Sequence, residues 1–406
     1  MDPLPTIERD LRIILAIQAL RAFGYGFASV VLGAALADSG LSNAEVGLVF
    51  AAILAGNALV SIAVGMLGDR IGRRRSYAIL LGAMAVAGVA YAWSDALWVL
   101  VPVALTGSLS TDANESGPLT SLEQAMLGGA DPRIRARVFG RYNAVAYLAG
   151  ALGALAGGGP ALFRRWFPAV PTDQRWLLVL TAAAIGSLLL VRGLSSVIDA
   201  KAERSGRPLG RSRAEVTRLA ALFGLDAFAG GFVVSTFIVF WFGRRYGASA
   251  ELMGLVLFGS GLLQGASSIA SGWVATRVGL LPTMVFTHLP SNVLLMLIPV
   301  MPSLGLGIAA LLARSALSQM DVPARQAYVT ALVDPSERTA AAAFTNSARY
   351  VVRPLGAASA GALMQRVAVG APFVVAGVLK SVYDVLLYAR FRRVPLRDRP
   401  GAGAAG

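Results

Sequence analysis

The sequence predicts an all-α membrane protein with twelve transmembrane helices in two pseudo-symmetric six-helix bundles. Three observations support this prediction. The chain of 406 residues is 56% hydrophobic and only 14% charged, which is too apolar for soluble domains. Apolar runs long enough to span a bilayer recur along the chain. Short motifs of its first half also recur in its second half at a nearly constant offset.

The apolar runs set the number of crossings. A helix needs about 20 apolar residues to cross the hydrocarbon core, and its backbone groups must be paired inside the segment. Counting on this basis predicts twelve segments, near residues 11–36, 45–67, 75–94, 97–127, 139–160, 176–196, 217–242, 251–275, 280–300, 303–333, 337–363 and 371–390. An even number returns both termini to the same side.

A charged stretch divides the chain. Residues 197–216 contain Gly206 and Pro208 and read as a cytoplasmic linker. This predicts an N-terminal bundle of residues 1–196 and a C-terminal bundle of residues 217–406 that ends in a short basic tail.

The two predicted bundles share a motif pattern. Leu20-Arg21-Ala22-Phe23 recurs as Leu225-Asp226-Ala227-Phe228, and the pairs that follow also repeat: Gly72 with Gly279, Pro118 with Pro323, and Asp131-Pro132 with Asp334-Pro335. Several matches at nearly one offset predict parallel repeats related by an axis along the membrane normal.

A short polar stretch, Gly65-Met-Leu-Gly-Asp69-Arg70-Ile-Gly72-Arg73-Arg74-Arg75, separates the second and third segments. Arginine-rich short loops stay in the cytoplasm, so we expect both termini there. The pattern Gly-x-x-x-Asp-Arg-x-Gly-Arg-Arg resembles the signature of the major facilitator superfamily in the loop after its second helix. The resemblance implies a twelve-helix secondary transporter in which this loop latches the halves. A fixed topology anchor is the alternative.

The positive charge of the chain is better explained by basic loops that orient a membrane protein than by nucleic-acid binding. The net charge is +14, but most cations lie in short turns between apolar runs rather than in an aromatic-studded patch. The predicted external loops hold a minority that runs against the bias, namely Arg164, Arg165, Arg175, Arg244, Arg245 and Arg366. No cysteine is present, which excludes disulfides and thiolate chemistry, and no cleavable signal is evident near the N-terminus.

Ionisable side chains inside membrane segments are the candidate functional residues, because each costs roughly 2.5 to 3.5 kcal/mol at mid-membrane. Segment four carries Ser108, Asp112, Glu115 and Glu123 on one helical face, and a break is expected at Gly117-Pro118. Asp112 and Glu115 would repel if both were ionised, so one is expected to hold a proton. The alternative is that Arg21, Arg314 or Arg349 neutralises them in structural ion pairs.

Three further segments carry charge at membrane depth. Segment ten presents Arg314, Ser318, Asp321 and Arg325 as one stripe, and segment eleven presents Asn346, Arg349 and Arg353. Arg21 and Asp226 lie roughly 15 Å into the first and seventh segments, near the midplane. In the superfamily that the chain resembles, helices one, four, seven and ten line the central cavity, which implies that Arg21 and Asp226 face it. The same polar pathway is expected to be lined by Arg314, Asp321, Arg325, Asn346, Arg349 and Arg353.

Smaller features favour structural roles. Lys380 and Asp384 are spaced to neutralise each other on segment twelve, and His288, the only histidine, is expected to have a packing role rather than to relay protons. Gly150, Gly153 and Gly157 allow close helix packing. Their stretch also resembles the glycine-rich helix-five motif of proton-driven exporters, with Ala154 where proline is expected. The arginine that such exporters carry in helix four is missing.

The sequence therefore predicts a monomeric transporter of the bacterial inner membrane, in the efflux-like branch of that superfamily. We expect alternating access with proton-coupled export of a small organic molecule, so the partners are the substrate, protons and the lipid bilayer. The alternative is a carrier of organic anions or phosphorylated metabolites, since five arginines face four carboxylates at membrane depth. One histidine and no cysteine argue against an enzyme, and no cofactor or metal is predicted.

Overall fold

The computed structural model describes residues 3–110, 117–127, 132–169, 171, 174–195, 209–210, 212–334 and 337–396. Regular structure in these ranges is helical, and they contain no β-strand. The predicted all-α class is therefore confirmed. Nine helical segments within the same ranges are long and apolar enough to cross a membrane.

The helices of the first half follow the first six predicted segments. Within the described ranges they are α1 (Pro3–Asp38), α2 (Asn43–Ile71), α3 (Arg73–Trp93), α4 (Leu97–Ala104), α5 (Pro118–Leu127), α6 (Pro132–Gly157), α7 (Gly159–Arg164) and α8 (Leu178–Val191). The start of α2 is set by a capping box. The backbone N–H of Ser42 donates to Glu45 Oε2 at 2.8 Å, and the backbone N–H of Glu45 donates to Ser42 Oγ at 3.3 Å.

The second half follows the other six predicted segments. Its described helices are α9 (Arg213–Phe232), α10 (Ser235–Tyr246), α11 (Ala250–Val278), α12 (Leu280–Leu297), α13 (Leu304–Leu317), α14 (Asp321–Leu332), α15 (Arg338–Arg366) and α16 (Ala371–Phe391). Ser303 caps α13, because its Oγ accepts a hydrogen bond from the backbone N–H of Leu306.

Three predicted segments are interrupted. In segment four, α4 ends at Ala104, residues 105–110 are not helical, and α5 begins at Pro118, the proline of the expected break. Segment seven is split between α9 and α10, and segment ten between α13 and α14. Ser108 therefore lies outside any helix, and Arg314 lies on a different helix from Asp321. The predicted single stripe on segment ten is wrong, because it assumed one continuous helix. On segment four Ser108 is not on the helix that carries Glu123, and Asp112 and Glu115 lie outside the described residues.

The repeat is visible at two equivalent turns. Gly72 alone separates α2 from α3, and Gly279 alone separates α11 from α12; both have φ of +94°. Residues with a Cβ rarely adopt this conformation. Glycine at both positions is thus required by the backbone, which explains why the two match in the sequence.

The chain forms two compact units. Unit 1 contains Met1–Ala202, Val234–Leu262 and Ala357–Val369, and unit 2 contains Glu203–Val233, Leu263–Gly356 and Gly370–Gly406.

Unit 1 is held together by close backbone packing of α1 on α6. A Cβ at Gly153 would lie 2.0 Å from the carbonyl oxygen of Phe23, and one at Gly26 would lie 2.0 Å from that of Gly150. These distances leave no room for any side chain. The glycines of α6 thus serve the close helix packing that their spacing predicted.

Unit 2 has an apolar core built mainly from α9, α12, α14 and α16. Its buried members include Phe223, Met284, Tyr328 and Leu387. The packing brings one face of α9 against α16 and one face of α12 against α16. Charged residues of α9, α14, α15 and α16 lie within hydrogen-bonding distance in this unit.

Candidate functional site

Unit 1 contains a buried ion pair between Arg21 on α1 and Glu123 on α5. Arg21 Nη2 lies 2.6 Å from Glu123 Oε2, and Arg21 Nε lies 3.3 Å from Oε1, so the contact is bidentate. The side chains are 2% and 0% exposed. A buried ion pair offsets the cost of removing its charges from water only when its geometry is favourable, as in this bidentate contact.

Four further side chains complete this network. Tyr77 on α3 donates to Glu123 Oε1 at 2.5 Å, and Tyr142 on α6 donates to Oε2. Arg21 also donates to Gln18 and to Thr120. The carboxylate and the guanidinium therefore have all their partners inside unit 1. Arg21 is thus buried in this structure, and its place in the substrate pathway stays a prediction.

Unit 2 contains a second network centred on Asp226 of α9. Its Oδ1 accepts from Lys380 Nζ at 2.6 Å, and its Oδ2 accepts from Arg349 Nη1 at 3.2 Å and from Arg325 Nη1 at 3.4 Å. The three cations come from α16, α15 and α14. Arg325 Nη1 also donates to Asp321 Oδ2 at 3.0 Å, one turn earlier on α14.

The direct ion pairs of Asp226 and Asp321 join three cations to two carboxylates. This leaves one formal positive charge before Asp384, one turn beyond Lys380, is counted. The side chain of Arg349 is 25% exposed, whereas those of Asp226, Arg325 and Lys380 are 5%, 11% and 11% exposed. Arg349 is therefore the most exposed member of the network.

Lys380 was expected to pair with Asp384, and this prediction is wrong. Lys380 forms its ion pair with Asp226, while Asp384 Oδ1 lies 3.0 Å from His288 Nδ1 and its Oδ2 accepts from Asn292 at 2.8 Å. The spacing within α16 was read correctly as one face, but α9 and α12 supply closer partners than the neighbouring turn does.

Three other predicted site residues lie on α13 and α15. Arg314 and Arg353 are partly buried, and Asn346 is exposed. Asp112 and Glu115, the proposed proton carriers, lie outside the described residues. Sequence reasoning assigned no role to Glu123, although its position on the face of Asp112 and Glu115 was a usable signal. It had no signal for Tyr77 or Tyr142.

The signature loop is described in part. α2 continues through Gly65, Met66 and Arg70 to Ile71, and α3 begins directly after Gly72. Arg73 is 8% exposed, and Arg74 donates to the carbonyl oxygen of Arg192 at 3.0 Å. This contact ties the loop to the end of α8. The side chain of Asp69 lies outside the described residues.

An apolar groove lies in unit 2 between α9 and α15. Its volume is about 630 Å³, and it is lined by Thr217, Ala220, Ala221, Gly224, Leu225, Phe228, Phe344, Ser347, Ala348, Val351, Val352 and Leu355. No lining residue is ionisable. Such a surface suits the hydrocarbon part of an organic molecule. Among the described residues, no cluster of three or more His, Cys, Asp or Glu side chains is placed to hold a metal.

Comparison with known proteins identifies the family and the fold. The model of the Major Facilitator Superfamily matches residues 14–242 and 219–405. An uncharacterized membrane protein of Saccharomyces cerevisiae is 23% identical over 422 residues, which cover 95% of this chain and 94% of that protein.

Two solved transporters share the fold. The nucleoside transporter NupG superposes with a TM-score of 0.72 at 14% identity, covering 94% of this chain and 98% of NupG. A D-xylose-proton symporter superposes with a TM-score of 0.69 at 15% identity, covering 96% and 98%. At these identities the likeness concerns the fold alone.

Proposed function

The chain belongs to the Major Facilitator Superfamily, and from this premise we propose that it exports a small organic molecule in exchange for protons. Members of this family are secondary transporters and not enzymes, so the chain is a multi-pass membrane protein that carries a small-molecule substrate. The proposal adds the direction, the coupling ion and the efflux-like branch. In it, bundles of residues 1–196 and 217–406, joined by the linker, rock around a site near the midplane.

The observation that carries the proposal is the pairing of Arg21 with Glu123. Asp112 and Glu115 carry protons only if no cation neutralises them permanently. Three arginines were candidates for that role. Arg21 is engaged by Glu123, and Arg349 by Asp226. Two of the three arginines that could form structural ion pairs with Asp112 and Glu115 are therefore paired with other carboxylates. This supports a shared proton on the two carboxylates.

The proposal also covers orientation and assembly. We place a monomer in the bacterial inner membrane with both termini in the cytoplasm. The pathway is lined by Arg21, Asp226, Arg314, Asp321, Arg325, Asn346, Arg349 and Arg353. The signature loop acts as a cytoplasmic latch through Gly65, Asp69, Arg70, Gly72, Arg73 and Arg74. The contact of Arg74 with the end of α8 supports a loop that is held in a defined position.

Transport in proteoliposomes tests the proposal. A thermal-shift screen of uridine, D-xylose, benzoate and tetraphenylphosphonium selects the probe, and its flux is then measured under an imposed pH gradient. We expect proton-driven flux in the wild type and its loss in the Asp112→Asn, Glu115→Gln double variant. Glu8→Gln, at an exposed carboxylate, is the control and keeps full flux. Full proton-driven flux in the double variant would eliminate the assigned role.

A second candidate is a carrier of organic anions or phosphorylated metabolites. It is favoured by the surplus positive charge around Asp226 and by the exposure of Arg349. Benzoate and glucose phosphate would then raise the melting temperature, whereas tetraphenylphosphonium would not. Arg349→Ala would abolish the shift, and Arg366→Ala, at an exposed arginine of the same helix, would keep it. A shift retained in Arg349→Ala argues against this candidate.

A further inference from the structure

His288 on α12 contacts Asp384 on α16 inside unit 2. The two side chains are 6% and 0% exposed, and His288 Nδ1 lies 3.0 Å from Asp384 Oδ1. Because an ionised carboxylate only accepts hydrogen bonds, Nδ1 carries the hydrogen of this contact. Asn292 donates to the other carboxylate oxygen at 2.8 Å. The imidazole therefore has Nε2 left as its basic nitrogen.

Lys380 connects this pair to Asp226. It lies one turn before Asp384 on α16, and its ammonium group is 2.6 Å from Asp226 Oδ1. Residues four apart on a helix are neighbours, so the Lys380 side chain has two carboxylates within its range. Asp226 has other cations in Arg325 and Arg349, whereas Asp384 has His288 and Asn292.

The net charge of the network formed by these side chains depends on whether His288 is protonated. Asp226, Asp321 and Asp384 balance Arg325, Arg349 and Lys380 when His288 is neutral. One proton on Nε2 makes the group positive by one charge. Among these described members, His288 is the one that carries an uncharged basic nitrogen, Nε2, in this arrangement.

The charged and titratable surroundings of His288 come from every helix near it. α16 contributes Asp384, Lys380 and the ring of Tyr383, whose centroid lies 6.2 Å from the imidazole. Beyond Lys380, α9 contributes Asp226, α14 contributes Asp321 and Arg325, and α15 contributes Arg349. α13, which packs on α12, carries Arg314. The nearest of these charged groups to the imidazole is the Asp384 carboxylate, at 3.0 Å.

We propose that His288 is a proton-binding site whose occupancy decides how Lys380 is shared between Asp384 and Asp226. Uptake of a proton at Nε2 turns the imidazole into an imidazolium that neutralises Asp384, and Lys380 is then held by Asp226 alone. Loss of that proton leaves Asp384 negative, and it draws Lys380 away from Asp226. The ion pair that joins α16 to α9, the first helix of the second repeat, thus depends on the proton at His288.

The composition of the chain allows a direct test. It contains one histidine and, in Lys201 and Lys380, two lysines. Protein with labelled histidine and lysine, purified through a tag without histidine and placed in nanodiscs, gives one imidazole signal and two lysine signals. Lys201→Arg assigns the lysine signals. NMR spectra are then recorded across a pH series.

We expect the imidazole signal and the Lys380 signal to change together across the pH series, with one common midpoint. In Asp384→Asn, the imidazole midpoint falls by about 1 to 3 pH units because the neighbouring negative charge is gone. In Lys380→Met it rises, because a nearby positive charge is gone. Arg366→Gln, far along α15, is the control and leaves the midpoint unchanged.

Two results would overturn the inference. One is an imidazole signal in the wild type that does not change across the pH series. The other is a Lys380 signal that stays constant while the imidazole titrates. Both are read from the wild-type protein, so misfolding of a variant does not obscure them. Because no substrate is needed, failure of the proposed proton-coupled export leaves this test interpretable.

Discussion

The ammonium group of Lys380 lies 2.6 Å from the Asp226 carboxylate, although 154 positions separate the two residues in the chain. This contact joins α16 to α9 inside unit 2. Asp226 is also the partner of Arg325 and Arg349, so one carboxylate holds side chains from three helices.

The consequences of changing Asp226 and Lys380 are unequal. Asp226→Asn leaves three cations without their shared carboxylate, and removing one partner of a buried pair costs about 3 to 5 kcal/mol. Lys380→Met leaves Asp226 with two other cations, so we expect a smaller loss. Thermal unfolding in detergent measures the order. Equal losses, or a larger loss for Lys380→Met, would contradict the central place of Asp226.

The Arg21 and Glu123 pair predicts a strong dependence on Glu123. Glu123→Gln leaves a buried guanidinium without its counter-charge, so we expect a loss of about 3 to 5 kcal/mol and a clearly lower melting temperature. Glu8→Gln removes an exposed partner of Arg12 and is expected to change stability little. A Glu123→Gln protein as stable as Glu8→Gln would rule out the buried pair.

The tyrosines around Glu123 provide a finer test. Tyr77→Phe removes a hydrogen bond to a charged acceptor, which is worth about 1.5 to 3 kcal/mol. Tyr91→Phe is the matched control, because Tyr91 is equally buried and donates to the neutral carbonyl of Leu100 at 2.9 Å. We expect Tyr77→Phe to lower the melting temperature more than Tyr91→Phe does. The reverse order would mean that Glu123 does not depend on Tyr77.

The α1 and α6 contact predicts a steric effect at Gly153. A Cβ there meets the Phe23 carbonyl oxygen at 2.0 Å, so Gly153→Ala forces the helices apart and lowers both folded yield and melting temperature. Gly82→Ala places a Cβ where no atom lies within 4 Å, and alanine is the better helix former by about 1 kcal/mol. Equal tolerance of the two changes would show that the helices do not meet at Gly153.

The sequence predicted the helices well because each segment carries its own signal. Hydropathy and length identified the positions of the helices, and the repeat identified Gly72 and Gly279 before their common backbone conformation was seen. Breaks inside segments seven and ten were missed. Val233 and Val234, which separate α9 from α10, are apolar like the helices beside them, so hydropathy contains no signal for the break.

Partners across helices were harder to predict. Spacing along one helix placed Asp321 and Arg325 on one face, and they form an ion pair at 3.0 Å. The same rule failed for Lys380 and Asp384, because spacing along one helix contains no information on which neighbouring helix packs against it. Tyr77 and Tyr142 gave no signal, since a tyrosine in an apolar helix reads as packing until a buried carboxylate is found beside it.

Simultaneous recording of probe flux and internal pH in one proteoliposome preparation tests proton coupling most directly. We expect protons to move opposite to the probe, so internal pH rises in proportion to probe uptake and falls in proportion to probe release. The Asp112→Asn, Glu115→Gln double variant is expected to abolish both signals together. Probe flux in the wild type without any accompanying proton movement would contradict proton coupling.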